Sequence, residues 1–284
     1  MPLTGLKFKR IYTLGPEGTF SNQAASRVVA PDRFEIVYCT TLPQITAAVA
    51  KDEDSLGVLP IENSIGGTVA PAQDSLIAQK VVATAELFVD VHYALVAACP
   101  LNEVNRYYCH AVAFNQCQNF LGTQLNQAQV IYSNSNIDSA ELFLKEKESP
   151  TAAVIPMQRA QEDPQLNGLI QAEHIQDVAN NKTRFLVIRK KPLGYSPDFT
   201  QEKTSIYVEL HEDRHSLLFE LLGAFHSFSI NLCRLESRPA KSKSWQYGFF
   251  IDFYNTPSTA ACLESLTNLK IDYRILGSFS PLPT

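Results

Sequence analysis

Long apolar runs, paired cysteines and basic clusters are all missing from this 284-residue sequence. No stretch approaches the ~18 apolar residues that a membrane-spanning helix needs. The six cysteines include no CxxC pair of the kind that zinc sites use. The formal net charge is −5 and the densest basic stretch is 189–191, which argues against a nucleic-acid surface. Together these absences predict a soluble cytoplasmic protein that needs no membrane, nucleic acid or metal.

Short apolar runs alternate with amphipathic segments in the first part of the chain. Strands are predicted at 11–14, 34–39 and 56–61, and helices at about 19–29 and 42–49. This alternation is typical of an α/β layer with a parallel or mixed sheet.

A second α/β set follows the segment 81–98, which is long, strand-like and suited to a crossover between two lobes. We therefore predict a two-lobed domain over 8–191. Lobe one takes about 8–83 and 171–190, and lobe two takes about 84–170. A cleft between two such lobes is a common place for a small-ligand site.

The last part of the chain begins after a segment rich in proline and glycine, 192–202, which we interpret as a linker. Beyond it, two helices alternate with four strands in the order βαββαβ. That order predicts a ferredoxin-like domain over 203–284.

A polar loop at 15–19 joins the first predicted strand to the first predicted helix. Backbone N–H groups at a helix N-terminus favour anions, and glycine allows the backbone to come close to a ligand. The alternative is a tight turn in which Thr19 or Ser21 caps the helix.

A similar loop at 60–68 follows the third predicted strand. Asn63 and Ser64 offer hydrogen bonds to a carboxylate, whereas Glu62 is either a capping residue or a general base. Two such loops on one side of a sheet would converge on one cleft.

Thr183, Arg184 and Phe185 place a hydroxyl, a guanidinium and an aromatic ring next to each other at the start of a buried strand. Strand alternation directs Thr183 and Phe185 to one face and Arg184 to the other. The planar fork of Arg184 suits a carboxylate clamp, and its alternative is a surface ion pair. His110 has apolar neighbours, and we interpret it as a core or loop histidine in preference to a catalytic base.

Four motifs in this order, at 12–21, 60–64, 183–185 and 235–239, resemble the prephenate dehydratase family. The resemblance extends from about residue 11 to about residue 279. It implies an α/β, two-lobed catalytic domain like a periplasmic binding protein. It also implies that the ferredoxin-like domain is an ACT domain, which binds phenylalanine and mediates assembly into a homodimer or homotetramer.

The resemblance implies conversion of prephenate to phenylpyruvate with loss of CO2 and water, without a cofactor. Thr183 matches the family's essential catalytic residue. The residues expected to bind the substrate are Thr19, Ser21, Glu62, Asn63, Ser64, Asn181, Arg184 and Phe185. The residues expected to bind the effector are Asn231, Leu232, Glu236, Ser237 and Arg238.

Several positions depart from the family pattern. Val112, Asn136 and Pro156 replace family residues in the second lobe, and Ser216 and Leu217 stand where the family has glycine and alanine beside the phenylalanine pocket. The first group leaves two alternatives open, an arogenate dehydratase and a non-catalytic sensor of aromatic amino acids. The second group predicts weak phenylalanine inhibition.

Overall fold

The computed structural model describes residues 8–28, 34–209, 216–239 and 247–282. Two sheets organise these residues into two lobes and a C-terminal domain. In the described ranges, no helix combines the length and the apolar character needed to cross a membrane.

The first lobe is built on a mixed sheet with helices on both faces. Its strands are β1 (Arg10–Leu14), β2 (Glu35–Cys39), β3 (Ser55–Asn63), the short β4 (Gly67–Thr68), β5 (Val81–Asp90) and β11 (Lys182–Lys190). Its helices are α1 (Phe20–Val28), α2 (Leu42–Lys51) and α3 (Ala70–Ala78). Five of the strands lie in the order β5-β11-β3-β1-β2, and β4 pairs with β3. The central strands β3 and β11 are apolar along most of their length because α1 covers one face and α2 and α3 cover the other.

The second lobe has its own five-stranded sheet. Its strands are β6 (Tyr93–Ala97), β7 (Arg106–His110), β8 (Gln129–Ser133), β9 (Thr151–Pro156) and β10 (Ile170–Ala172), in the order β10-β6-β9-β7-β8. Its helices are α4 (Ala111–Gln116), α5 (Gln118–Gln124), α6 (Asn136–Lys145) and α7 (Met157–Glu162). Helix α6 begins at Asn136 because the Ser135 hydroxyl caps it, accepting from the Asp138 N–H at 3.0 Å.

The boundaries between the lobes differ from those predicted from the sequence. Strand β5 pairs with β11 along its length, so residues 84–90 belong to the first lobe. Strand β10 pairs with β6, so residues 170–172 belong to the second. The segment 81–98 is therefore two strands, because the chain leaves one sheet after Asp90 and enters the other at Tyr93.

The C-terminal domain has the predicted βαββαβ order. Its elements are β12 (Lys203–Glu209), α8 (Leu217–Ser227), β13 (Leu232–Pro239), β14 (Tyr247–Tyr254), α9 (Thr259–Asn268) and β15 (Tyr273–Pro281). Its strands lie in the order β13-β14-β12-β15, which is the ferredoxin-like arrangement. The sequence pattern predicts that the first helix of this domain begins near residue 213, and this position and His215 lie outside the described residues.

The C-terminal sheet continues the sheet of the first lobe, because β15 runs parallel to β5 and pairs with it. Gly277 lies opposite Ala83 at this junction. A Cβ atom on Gly277 would stand 2.3 Å from the Ala83 carbonyl oxygen, so the close approach requires glycine. The C-terminal domain is thereby joined to the lobe that carries Thr183.

Candidate active site

A cleft with a cavity volume of about 310 Å³ lies between the two lobes and includes Thr183 in its wall. The polar and aromatic residues that line it are Phe20, Asn63, Thr68 and Thr183 from the first lobe and Tyr93, His110, Gln116 and Asn136 from the second. The sequence-based expectation of a cleft between two α/β lobes therefore agrees with the structure.

Thr183 stands directly opposite Asn63, where β11 pairs with β3. The Asn63 Nδ2 group donates to Thr183 Oγ1 at 3.0 Å and to Asn181 Oδ1 at 2.8 Å. Asn63 Oδ1 accepts from the N–H groups of Ile65 and Gly66, at 3.1 and 2.8 Å, which fixes the orientation of the carboxamide. Since the Thr183 oxygen already accepts a hydrogen bond, its own hydrogen is available to an acceptor in the cleft.

Asn181 connects this arrangement to the second lobe. Its side chain is fully buried, and its Nδ2 group donates to Gln116 Oε1 at 2.9 Å. Gln116 Nε2 in turn donates to Asn63 Oδ1 at 3.4 Å. Three carboxamides from β3, α4 and the approach to β11 thus form one closed network beside Thr183. Buried networks of this kind hold their members in a single arrangement when every member is partnered.

Ser64 acts on the backbone of the neighbouring strand. Its N–H donates to the Lys182 carbonyl, and its Oγ accepts from the Lys182 N–H, both at 2.9 Å. These two bonds hold the loop after β3 against the start of β11. The Ser64 oxygen accepts from Lys182, and Ser64 is not among the residues that line the cleft, so its expected role in substrate binding stays a prediction.

The first polar loop caps a helix, as one of the two interpretations held. Thr19 Oγ1 donates to the Pro16 carbonyl at 2.9 Å and accepts from the Asn22 N–H at 3.3 Å. Ser21 is buried, and its carbonyl accepts from the Thr13 hydroxyl at 3.2 Å. Phe20, the first residue of α1, lies between Thr19 and Ser21 in the sequence, lines the cleft and packs edge-on against the Tyr93 ring.

Arg184 and Glu62 face the C-terminal domain. Arg184 is 8% exposed and donates to Glu86 at 2.8 Å and to Asp252 at 2.5 Å. Glu62 forms a 3.2 Å ion pair with Arg234. These positions differ from those expected for a carboxylate clamp and a general base in the cleft. The physical reason is strand alternation, which sends Arg184 to the face opposite Thr183.

Phe185 is buried at 1% exposure in the core between α1 and the sheet. It lies on the same face of β11 as Thr183, as the alternation predicted, but it packs in the core beneath α1 and does not line the cleft. We therefore describe it as a packing residue next to the site.

The second lobe contributes polar atoms that the sequence interpretation had not assigned to a site. His110 ends β7 and Asn136 follows β8, and these two strands are parallel, so both residues lie at carboxyl ends. His110 Nδ1 and Asn136 Oδ1 are buried and have no hydrogen-bond partner among the described residues. Burial lowers the pKa of the His110 imidazole and raises the pKa of the nearby Tyr93 hydroxyl. All three groups are consequently neutral hydrogen-bonding groups near pH 7.

The strand-end position is the signal that could have identified His110 and Asn136, since ligands in α/β folds bind outside the carboxyl ends of strands. Of the three departures from the family pattern in this lobe, Val112 and Asn136 line the cleft. Pro156 instead ends β9, where it pairs with Tyr93.

The five residues expected to bind an effector are spread along and before β13. The Asn231 carbonyl accepts from the Tyr254 N–H at 3.0 Å, and Leu232 packs against the C-terminal core. Arg238 contacts Asp74 of the first lobe at 3.4 Å.

Exposed and half-buried residues alternate along β13, so Glu236 is half-buried and Ser237 is exposed. Leu217, expected at the wall of an effector pocket, is buried in the C-terminal core.

Comparisons with known proteins agree with this geometry. A family model described as prephenate dehydratase matches residues 11–193. A prephenate dehydratase of Methanocaldococcus jannaschii is 34% identical over 274 residues, covering 95% of this chain and 97% of the relative.

Two solved structures extend the similarity to the fold. The prephenate dehydratase of Staphylococcus aureus has a TM-score of 0.81 at 30% identity, covering 96% of this chain and 100% of that one. The prephenate dehydratase of Arthrobacter aurescens, solved in complex with L-Phe, has a TM-score of 0.82 at 29% identity, covering 97% of this chain and 92% of that one. On the combined strength of the family match and these relatives, the chain belongs to the prephenate dehydratase family.

Proposed function

We propose that this chain converts prephenate to phenylpyruvate, CO2 and water, and that Thr183 assists departure of the ring hydroxyl. The bond between the ring and its carboxylate breaks, and the electron pair of that bond enters the ring. The carbon–oxygen bond to the hydroxyl then breaks, and the leaving oxygen takes up one proton to become water. The ring becomes aromatic, and no external oxidant takes part.

The orientation of the Thr183 hydroxyl is the observation that carries this proposal. Asn63 occupies a lone pair of Oγ1, which leaves the hydroxyl hydrogen for the departing oxygen. An alcohol is a weak acid, so Thr183 acts by stabilising the charge that develops on that oxygen, and the proton comes from solvent. Fixed donors of this kind contribute about 10²-fold or more to kcat.

The second lobe is proposed to hold the side of the substrate away from Thr183. His110, Asn136 and Tyr93 are neutral groups in the cleft wall, and two of them bring buried atoms that lack partners in the described structure. A buried polar atom without a hydrogen bond is costly, so a ligand that supplies the missing bonds gains affinity there.

A direct assay tests the function. Purified protein is incubated with prephenate, and phenylpyruvate is followed by its absorbance, with the Thr183→Ala variant as the matched control. We expect turnover by the wild type and a loss of at least about 10²-fold in kcat in the variant. Folded wild-type protein that releases no phenylpyruvate would overturn the proposal.

Arogenate is the second candidate substrate, and one observation favours it. The unpartnered atoms His110 Nδ1 and Asn136 Oδ1 can both accept hydrogen bonds, and arogenate carries an ammonium group where prephenate carries a keto oxygen. Comparing kcat/KM for the two compounds decides between them. The third alternative, a sensor without activity, fits less well with the intact contact between Asn63 and Thr183.

We also propose that L-phenylalanine binds the C-terminal domain as an effector, since the related Arthrobacter aurescens enzyme was solved in complex with it. The proposed assembly is a homodimer or a homotetramer. A cytoplasmic location is proposed because all six cysteines are free thiols, as expected in a reducing compartment.

A further inference from the structure

Two cross-strand pairs of opposite charge face each other between the first lobe and the C-terminal domain. Glu62 and Arg184 are partners in the pairing of β3 with β11, and Arg234 and Asp252 are partners in the pairing of β13 with β14. Across the interface Glu62 binds Arg234 at 3.2 Å and Arg184 binds Asp252 at 2.5 Å. We call these four residues the charge square.

The square continues into the buried contact between the two regions. Glu86 accepts from Arg184 and also from Lys203, the latter at 2.5 Å, and Glu86 and Asp252 are 0% and 2% exposed. Buried ion pairs hold their partners within narrow limits, because a displaced member leaves an uncompensated charge away from water.

Two residues of the charge square are sequence neighbours of two residues that line the cleft. Asn63 follows Glu62 in β3, and Thr183 precedes Arg184 in β11. The side chains of neighbouring residues in a strand lie on opposite faces of the sheet. The cleft pair Asn63–Thr183 and the interface pair Glu62–Arg184 are therefore consecutive rungs of one ladder, and movement of one rung displaces the other.

The backbone ladder is interrupted at this point. The pairing of β11 with β3 shifts register between Arg184 and Phe185. Bulges are common beside active sites, where they redirect a side chain. The pairing of β11 with β5 is regular from Lys182 to Val187, so the interruption weakens the restraint on the β3 side alone. On that side, side-chain contacts on the interface face take a larger part in fixing the position of Thr183 relative to Asn63.

We propose that Glu62 and Arg184 are positioning residues, and that docking of the C-terminal domain through the charge square sets the contact between Asn63 and Thr183. A movement of the C-terminal domain would thereby shift Glu62 and Arg184, and with them the adjacent cleft residues Asn63 and Thr183. The proposal rests on the proposed function for its kinetic readout, and hydrogen exchange supplies a readout that does not depend on activity.

The pair Glu62–Arg234 is the better place for the test. Asp252→Asn would change a buried carboxylate that pairs with the buried Arg184 and endanger folding. The Glu62 side chain is 38% exposed, and Arg234, although 7% exposed, keeps a second hydrogen bond when Glu62 is changed. The variants are Glu62→Gln, Arg234→Gln and the double variant. Glu53→Gln is the matched control, because Glu53 binds Lys190 of the same strand β11 at 2.6 Å without reaching the C-terminal domain.

We expect each single variant to lower kcat by about fivefold while KM changes by less than about twofold, and the double variant to match the singles. Amide exchange at 181–184 should become about fivefold faster in the same three proteins. Glu53→Gln should leave kcat and exchange unchanged. If the wild type does not act on prephenate, the proposed function fails, and the exchange data alone decide the linkage.

Three results would overturn the linkage. One is an amide exchange rate at 181–184 that equals the wild-type rate in all three variants. Another is a kcat at the wild-type value with only Tm lowered, which indicates that the square stabilises the fold and does not position Thr183. The third is an effect in the double variant equal to the sum of the effects of the singles, because independent sites add.

Discussion

On the first-lobe wall of the cleft, Asn63 holds Thr183 and Asn181 while the backbone of the following loop holds Asn63. On the second-lobe wall, His110 Nδ1 and Asn136 Oδ1 are buried and find no partner within the described ranges. The carboxamides of the first wall are partnered without a ligand, whereas two polar atoms of the second wall are left for a ligand to partner.

This difference assigns different tasks to the two walls. Preorganised donors lower the energy of a transition state because no reorganisation is needed as charge develops. Atoms that await partners contribute to binding when a ligand supplies them. We therefore expect substitutions in the first wall to change kcat and substitutions in the second to change KM.

The largest expected effect is that of Thr183→Ala. Removing the hydroxyl removes a donor that acts mainly in the transition state, so kcat should fall by at least about 10²-fold with KM nearly unchanged. Steady-state kinetics measure both constants, and Thr183→Ser should keep part of the activity. A wild-type kcat in Thr183→Ala would remove this residue from the mechanism.

Asn181→Ala should have the next largest effect. It leaves Gln116 Oε1 short of a partner in a buried place, which costs about 1–3 kcal/mol, whereas Asn63 Nδ2 keeps two other acceptors. We expect a lower Tm and a roughly tenfold lower kcat, because the carboxamide that orients Thr183 loses part of the network that fixes it. Gln118→Ala, which removes an exposed carboxamide, is the control and should change neither quantity. An unchanged kcat in Asn181→Ala would show that the network serves stability alone.

The sequence predicted the first wall better than the second for physical reasons. Asn63 and Thr183 stand at the ends of apolar runs, so local pattern marks both as strand ends, and the antiparallel pairing of β11 with β3 brings them to one sheet edge. His110 has apolar neighbours in sequence, and its place in the cleft is decided by the parallel pairing of β7 with β8. Asp252 is 68 residues from Arg184, and packing of the C-terminal domain brings the two together. The alternation of side chains along a strand correctly predicted that Arg184 faces away from Thr183, but it did not predict which residues Arg184 contacts.

Substitutions in the second wall should act mainly on binding. His110→Ala and Asn136→Ala each remove one neutral hydrogen-bonding group, which is worth about 0.5–1.5 kcal/mol. We expect KM to rise by about twofold to tenfold for either variant, with a smaller change in kcat. Kinetics on prephenate and on arogenate provide the measurement. A loss confined to kcat would contradict the division between the walls.

The pH dependence of stability tests the burial of His110. Burial lowers its pKa from 6.5, so the unfolded chain binds the proton more readily than the folded protein. Stability is therefore lost as pH falls through 6.5 towards the lowered pKa, and it is fully present above 6.5. We expect Tm to fall less between about pH 7.5 and pH 5 in His110→Gln than in the wild type. Equal slopes would mean that His110 is solvated in solution.

The smallest expected effect lies outside both walls, in the C-terminal domain. Ser216 precedes α8 with φ 67°, a left-handed conformation that costs a serine roughly 1 kcal/mol and a glycine almost nothing. If the segment borders the effector site, Ser216→Gly should raise Tm slightly and strengthen phenylalanine binding by about threefold, starting from weak wild-type inhibition. Lys270→Gly is the matched control, because Lys270 also has a positive φ of 59° at the end of α9 in the same domain. It should raise stability without altering phenylalanine affinity. Calorimetric titration of both variants with phenylalanine measures whether affinity changes only at Ser216 or also when strain is relieved elsewhere. Tight phenylalanine binding by the wild type would show that Ser216 does not obstruct the ligand.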